Sequence, residues 1–326
     1  MNSAQRTLAL LRLMVDVEFH SGEKLARHLG ISRASVSNAL RGLEDYGLIL
    51  HSVRGRGYRL SNPPQWLDVI KISSYLGSLS DEFRVDVLDS ASSTNSLLLQ
   101  HAERGAPSGS VLAAEWQSEG RGRLGRAWHA GLGNALTFSL LWRFTGGLSA
   151  LSGLSLVVGI ALIRALRALG VTDAHLKWPN DVVCSGGKLA GILIETRGDL
   201  LGPCPVVIGI GFNINIPQQL RAKINQPIIG LADLMSAVPE RNKLFAMILR
   251  ELHKSLSDFA IHGFSALRPE WESYHVMHEQ NVCLFQLDGS REVGIARGVT
   301  EHGALILESA QGKHIHHVGE ISLRTP

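Results

Sequence analysis

Apolar positions in the first 62 residues recur at helical spacing and then switch to alternation. Leu8, Leu11 and Val15 set one face of a first helix, which Ser3 is placed to cap. A second helix begins after Ser21 and runs through Leu25 to Leu29, with Gly30 as its stop. Ser32 caps a third, with Val36, Leu40 and Leu43 at i, i+4 and i+7. The tight Leu29-Gly30-Ile31-Ser32 link makes the last two a helix-turn-helix. Leu48-Ile49-Leu50 and Tyr58-Arg59-Leu60 then read as a hairpin with Arg54-Gly55-Arg56-Gly57 at its tip, the wing of a winged helix. Ser61-Asn62-Pro63-Pro64 ends the unit, because two prolines stop regular structure.

From Phe83 onward the pattern is mixed. Val85–Leu88, Val111–Trp116, Ala135–Trp142, Val182-Val183, Ile192–Glu195 and Val206–Ile210 read as strands. Residues 93–104, 149–169 and 240–260 read as helices, the last with Leu244, Ile248, Leu252, Leu256 and Phe259 on one face. Gly146 to Ile163 is uncharged over 18 residues, near the lower limit for crossing a bilayer, but it includes four glycines and three serines. It reads as a buried core helix. From Asn281 to Leu323 come short β-rich runs such as Val282–Phe285 and Ala304–Leu307, separated by Gly289, Gly303 and Gly312. The chain therefore divides at 1–64, 65–272 and 273–326, an α/β multidomain protein.

Charge sharpens the division. The net charge of +3 resolves into nine Lys/Arg against five Asp/Glu in residues 1–62, with near balance elsewhere. A basic N-terminal unit points to an anionic partner. The third helix carries Ser32, Arg33, Ser35, Ser37, Asn38 and Arg41 on its polar side, suited to phosphates and base edges, with Arg54 and Arg56 at the wing. The competing reading is a three-helix interaction domain with a solvated polar face. Cys184, Cys204 and Cys283 are far apart without metal spacing, which favours a reducing compartment. No signal peptide is visible, so a cytoplasmic location is expected.

The chemistry concentrates in Gly120-Arg121-Gly122-Arg123-Leu124-Gly125-Arg126-Ala127-Trp128. Glycines let backbone approach a ligand, arginines match phosphate and carboxylate, and the indole offers a flat face. The embedded G-x-G-x-x-G is not a dinucleotide fingerprint, since no helix opens after it and no acid follows about 20 residues on. Ser92-Ser93-Thr94-Asn95 opens a helix with small hydrogen-bonding groups. Lys177-Trp178-Pro179-Asn180-Asp181 precedes Gly187-Lys188-Leu189-Ala190-Gly191-Ile192-Leu193-Ile194-Glu195. A lysine entering an apolar strand is expensive to bury unless it meets an anion, while Lys177 serves equally as a salt-bridge partner. Gly209-Ile210-Gly211-Phe212-Asn213 lets a strand touch a ligand.

These blocks in this order resemble the biotin protein ligases, and with the N-terminal unit the chain resembles the bifunctional biotin operon repressor and biotin–protein ligase family. The resemblance implies a catalytic domain related to class II tRNA synthetases and a C-terminal SH3-like β-barrel. It implies two-step chemistry: biotin and ATP give biotinyl-5′-AMP, and biotin then passes to a lysine of the biotin carboxyl carrier protein. On this resemblance Ser93, Thr94, Asn95 and Gln117 hold the biotin head group, and Arg121, Gly122 and Arg123 close over biotin and the adenylate. Lys188 bridges carboxylate and α-phosphate, and Arg123 retains the adenylate. Trp128 stacks on adenine and Asn213 touches it. Lys177 belongs to the nucleotide-binding group, and Asn180 and Asp181 serve the triphosphate and its Mg²⁺. An adenylate-bound homodimer on operator DNA is also implied. Leu124 and Ser92 stand where members often carry arginine and aspartate. A ligase with a non-regulatory N-terminal domain, and a biotin sensor without catalysis, are the competing functions. His314-Ile315-His316-His317 reads as a solvated strand, with no carboxylate or cysteine patterned beside it and no metal site expected.

Overall fold

The computed structural model describes residues 3–197, 204–286, 290–317 and 321–324. Gly289, expected to separate two C-terminal runs, lies outside the described residues. At the N-terminus α1 (Ser3–Leu13), α2 (Gly22–Leu29) and α3 (Arg33–Ala39) are followed by β1 (Leu50–Val53) and β2 (Gly57–Leu60). Ser21 and Ser32 cap α2 and α3 through their hydroxyls, and Gly30 ends α2 in the left-handed region at φ 63. Leu8, Leu10, Leu11 and Met14 are buried, whereas Val15 is 57% exposed. The expected apolar face is corrected there: α1 stops at Leu13, so Val15 lies past its last turn. The two strands pair antiparallel from Leu50↔Leu60 to Val53↔Gly57, leaving Arg54-Gly55-Arg56 as the hairpin tip.

The middle of the chain builds α4 (Val69–Leu76), β3 (Arg84–Ala91), α5 (Thr94–Glu103), β4 (Ser110–Gln117), β5 (Ala135–Phe144), α6 (Leu154–Ala168), β6 (Ala174–Lys177), β7 (Asp181–Cys184), β8 (Gly187–Thr196) and β9 (Cys204–Asn213). After them come α7 (Gln218–Arg221), α8 (Arg241–His262) and α9 (Arg268–Tyr274). The seven strands form one mixed sheet, β3-β4-β5-β9-β8-β7-β6, in which only β3 and β4 run parallel. On one face α4, α6 and α8 share a core with Phe138, Ile208, Ile210 and Phe212. The five apolar residues expected on one face of α8 are all buried. The uncharged run at Gly146–Ile163 supplies most of α6, which is buried from Leu156 to Ile163, and among the described residues no helix is long and apolar enough to cross a membrane. The other face carries α5, through Leu98, Leu99 and Ala102 against Leu112, Leu141 and Val207. Beside α5 that face is left open.

The last strands, β10 (Asn281–Gln286), β11 (Arg291–Val299), β12 (Leu305–Ser309), β13 (Gly312–His316) and β14 (Ile321–Arg324), form an antiparallel sheet in the order β13-β12-β11-β10-β14. Val282, Leu284, Ala296, Val299, Leu305 and Leu307 join the core of the central sheet. Trp178 is buried and its Nε1 donates to the Gly303 carbonyl at 3.1 Å, tying the β6–β7 turn to this sheet.

Candidate active site

The open face has a physical cause in two strands. On β8 and β9, Gly191 pairs with Gly211 and Leu193 with Gly209. Side chains alternate along a strand, so both β9 glycines face the α5 side and leave a bare floor there. Side chains from elsewhere lie directly on that floor. A Cβ on Gly209 would sit 2.3 Å from Asn95 Oδ1, and one on Gly211 2.2 Å from the Trp128 ring. A cavity of about 1060 Å³ opens over it, at the upper edge of the size range of ligand sites.

At one end the N-terminus of α5 supplies small polar groups. Ser93, Thr94 and Asn95 are buried, and Ser93 caps the helix. The Thr94 amide donates to Gln117 Oε1 at 2.7 Å. Ser139 Oγ, fully buried on β5, lies 2.7 Å from Thr94 Oγ1 and 2.5 Å from Asn95 Oδ1. Asn95 Nδ2 donates to Glu195 Oε2 at 2.7 Å. Glu195 in turn accepts from Arg121 Nη2 at 3.0 and 3.1 Å, while Arg121 Nη1 donates to Ser96 Oγ at 2.6 Å. These bonds hold Asn95 and Gln117 in single orientations around an apolar-floored pocket.

The arginine-rich segment folds back on itself. The Gly122 amide donates to the Arg126 carbonyl and the Trp128 amide to the Gly120 carbonyl, both at 2.7 Å. Leu124 takes φ 58 at the tip and is 41% exposed. Arg123 reaches across the cavity and donates to Asn180 Oδ1 at 3.2 Å. Burial lowers its pKa, and the charge of Asp181 opposes that shift. Lys188 Nζ lies 2.7 Å from Asp181 Oδ1 and 5.8 Å from the Trp128 ring centroid. Lys177 lines the same cavity. The cavity wall thus carries Arg121, Arg123, Arg126, Lys177, Lys188 and Lys223, and Asp181 is the only carboxylate among its described lining residues. Cations without a base-activated serine or cysteine suit the binding and neutralisation of anions.

Sequence reasoning brought Ser93, Thr94, Asn95, Gln117, Arg121, Gly122, Arg123, Trp128, Lys177, Asn180, Asp181 and Lys188 to one wall, and all of them line the cavity. Asn213 does not. It is buried behind the wall, and its Nδ2 donates to the Lys188 carbonyl at 3.2 Å, so it braces the strand that carries the lysine. Glu195 and Ser139 were missed as site residues. Glu195 ended a motif already singled out, and its position at the close of an otherwise apolar strand was the available signal. Ser139 sits in an apolar run and gave none.

In the N-terminal unit, Ser32, Arg33, Ser37, Asn38, Arg41, Arg54 and Arg56 are exposed and Ser35 is half-buried. Ser32 Oγ accepts from the Ser35 amide at 3.1 Å, so that hydroxyl serves the helix start. The wing arginines gain a platform that periodicity did not reveal: Arg56 lies 4.2 Å and Arg59 4.9 Å from the Phe19 ring centroid.

Residues 6–59 match the family model of an HTH domain, residues 87–213 that of the biotin/lipoate A/B protein ligase family, and residues 281–324 that of the biotin protein ligase C terminal domain. In chain order these define the class, a biotin protein ligase joined to an N-terminal helix-turn-helix. The chain is 39% identical over 319 residues to the bifunctional ligase/repressor BirA of Escherichia coli, and 38% identical over 319 residues to that of Salmonella typhimurium. Each alignment covers 98% of this chain and 97% of the relative. The chain belongs to this family of bifunctional ligase/repressors. The structure of a biotin protein ligase from Aquifex aeolicus in complex with biotin and ATP is similar at a TM-score of 0.64 and 27% identity, covering 74% of this chain and 99% of that one.

Proposed function

We propose that this protein is an ATP-dependent biotin–protein ligase and a biotin-responsive transcriptional repressor. One observation carries the ligase reading: six cationic side chains surround a glycine-floored cavity with a hydrogen-bonding pocket at one end. That arrangement matches a reaction between two anions. A biotin carboxylate oxygen attacks the α-phosphorus of ATP, pyrophosphate leaves, and biotinyl-5′-AMP forms. The lysine amine of a biotin carboxyl carrier protein then attacks the acyl carbon, releasing AMP and a proton. Positioning and charge neutralisation are what the protein supplies.

In this reading Ser93, Thr94, Asn95 and Gln117 bind the biotin head group, with Glu195 and Ser139 holding them in place. Lys188 leaves Asp181 to bridge the carboxylate and the α-phosphate. Arg121, Gly122 and Arg123 cover the adenylate, and Arg123 keeps it from water. Trp128 stacks on adenine, and Lys177, Asn180 and Asp181 face the phosphates. Magnesium commonly binds through one or two carboxylates plus substrate phosphates, and a single lining carboxylate fits that mode. When bound, Mg²⁺ screens the triphosphate charge.

For repression, Arg33, Ser37, Asn38 and Arg41 read and grip the major groove, Ser32 and Ser35 shape the helix start, and Arg54 and Arg56 contact backbone phosphates. Adenylate binding favours a homodimer that matches a two-fold operator. The three units meet at residues 64 and 272, the last is SH3-like, and the protein works in the cytoplasm. Two assays test the proposal. Labelled biotin should reach a lysine of a carrier domain only with ATP present, and operator retardation should strengthen on adding biotin and ATP. Labelling indistinguishable from a no-enzyme control overturns the ligase reading. Retardation indifferent to the adenylate overturns the regulatory one.

A further inference from the structure

The C-terminal sheet holds a cluster that the reactions above do not use. His314 and His316 lie two apart on the edge strand β13, so both side chains share one face. They pair across to Leu307 and Leu305 of β12. The sequence offers no acid beside them, but the fold does. Glu292, near the start of β11, reaches both rings although β12 separates the two strands in hydrogen-bonding order. Its Oε1 lies 2.5 Å from His314 Nδ1 and its Oε2 3.1 Å from His316 Nε2. The expectation of a fully solvated strand is corrected at His316, whose side chain is only 13% exposed. His316 Nε2 is buried and makes no hydrogen bond.

We propose that Glu292, His314 and His316 form a binding site for a divalent transition-metal ion, with zinc as the best-suited occupant. The three ligand atoms lie within 4.8 Å of one another, the one such group among the described residues. A zinc ion bonded at roughly 2.0–2.2 Å holds tetrahedral ligands about 3.4 Å apart, so small side-chain rotations complete the site. Two imidazoles and one carboxylate suit a borderline ion rather than calcium or magnesium, which take oxygen ligands. His314 is 44% exposed, which leaves the fourth position to water. His316 Nε2, which faces the Glu292 carboxylate at 3.1 Å without a well-formed hydrogen bond, gains a coordinating partner. The ion clamps the edge strand β13 to β11 across β12 and thereby stiffens the C-terminal sheet.

The test uses the full-length, untagged protein stripped with a chelator and titrated with zinc chloride by calorimetry. One ion per chain is expected. Glu292→Gln and His316→Ala should each weaken binding at least tenfold, while His302→Ala, outside the cluster, should leave it unchanged. Cobalt should give the visible d–d absorption of a four-coordinate ion in the parent protein and lose it in His316→Ala. Zinc should raise the Tm of the parent and not of Glu292→Gln, a near-isosteric change that guards against simple misfolding of the alanine variant. Binding that survives both changes, or no binding at micromolar zinc, leaves only a Glu–His ion pair and overturns the proposal.

Discussion

Replacing Lys188 with alanine removes the ammonium that sits 2.7 Å from Asp181, and on the proposed roles it removes the bridge between the two reacting anions. Loss of a preorganised charge of this kind costs roughly 10²–10³ in rate. Pyrophosphate release should fall by that factor. Arg123→Gly should instead leave adenylation largely intact and let biotinyl-5′-AMP escape, measured as free adenylate without acceptor. The floor glycines offer a sharper pair. Gly209→Ala places a methyl against Asn95, and Gly211→Ala places one against Trp128. Overpacking costs about 1–3 kcal/mol, so the first should raise the biotin KM and the second the ATP KM, each about tenfold. If both variants raise the same KM, the assignment of the two ends of the cavity is wrong. Most of this wall was legible in the sequence because charged and glycine residues are conspicuous inside apolar runs. The place of Asn213 behind the wall was not legible, because an amide after two glycines looks equally suited to a ligand and to a neighbouring carbonyl.

At the scale of elements, the long strands and α5, α6 and α8 followed from periodicity. Several others did not, among them β6, α4 and α9. Strand β6 is only four residues long and runs straight into the Lys177-Trp178-Pro179 motif, while α4 and α9 are short and are set by what they pack on. Nor could spacing reveal the contact that locks several elements together. Arg241, at the start of α8, is 2% exposed and pairs with the buried Glu115 of β4. It also donates to the carbonyls of Ala135 and Gln65, while Glu115 accepts from the Leu67 amide at 2.6 Å. One ion pair thus fastens two strands, a helix and the segment leading out of the N-terminal unit. Breaking one side of a buried pair costs about 3–5 kcal/mol, because the other charge stays buried. Arg241→Met should lose that much in urea unfolding, and adding Glu115→Leu should restore most of it.

For the whole molecule, His275 couples folding to acidity. It follows α9, is 6% exposed, stacks on Trp271 at 4.6 Å, and neither ring nitrogen has a hydrogen-bond partner. Burial pushes its pKa down to about 3, helped by the nearby His278. The unfolded chain takes up a proton near pH 6.5, while the folded one does not until about pH 3. The contribution is complete above pH 6.5 and erodes as pH falls toward 3, by up to about 1.4 kcal/mol per pH unit. The unfolding midpoint should drop between pH 7.5 and 5, and His275→Phe should flatten that drop. An unchanged slope in the variant would assign the acid sensitivity elsewhere.

Leu132, from the loop before β5, is wholly buried in the hydrophobic cluster of the N-terminal helices, and Tyr46 rests 5.1 Å from the Trp116 ring. Trp116 is the immediate neighbour of Gln117, so adjacent positions of one strand serve the helix-turn-helix head and the proposed biotin pocket. A ligase cut after residue 64 would therefore carry an oily scar where its head had been. Swapping in a foreign head would need a matching socket, so in this protein the two activities are soldered together and not merely strung on one thread.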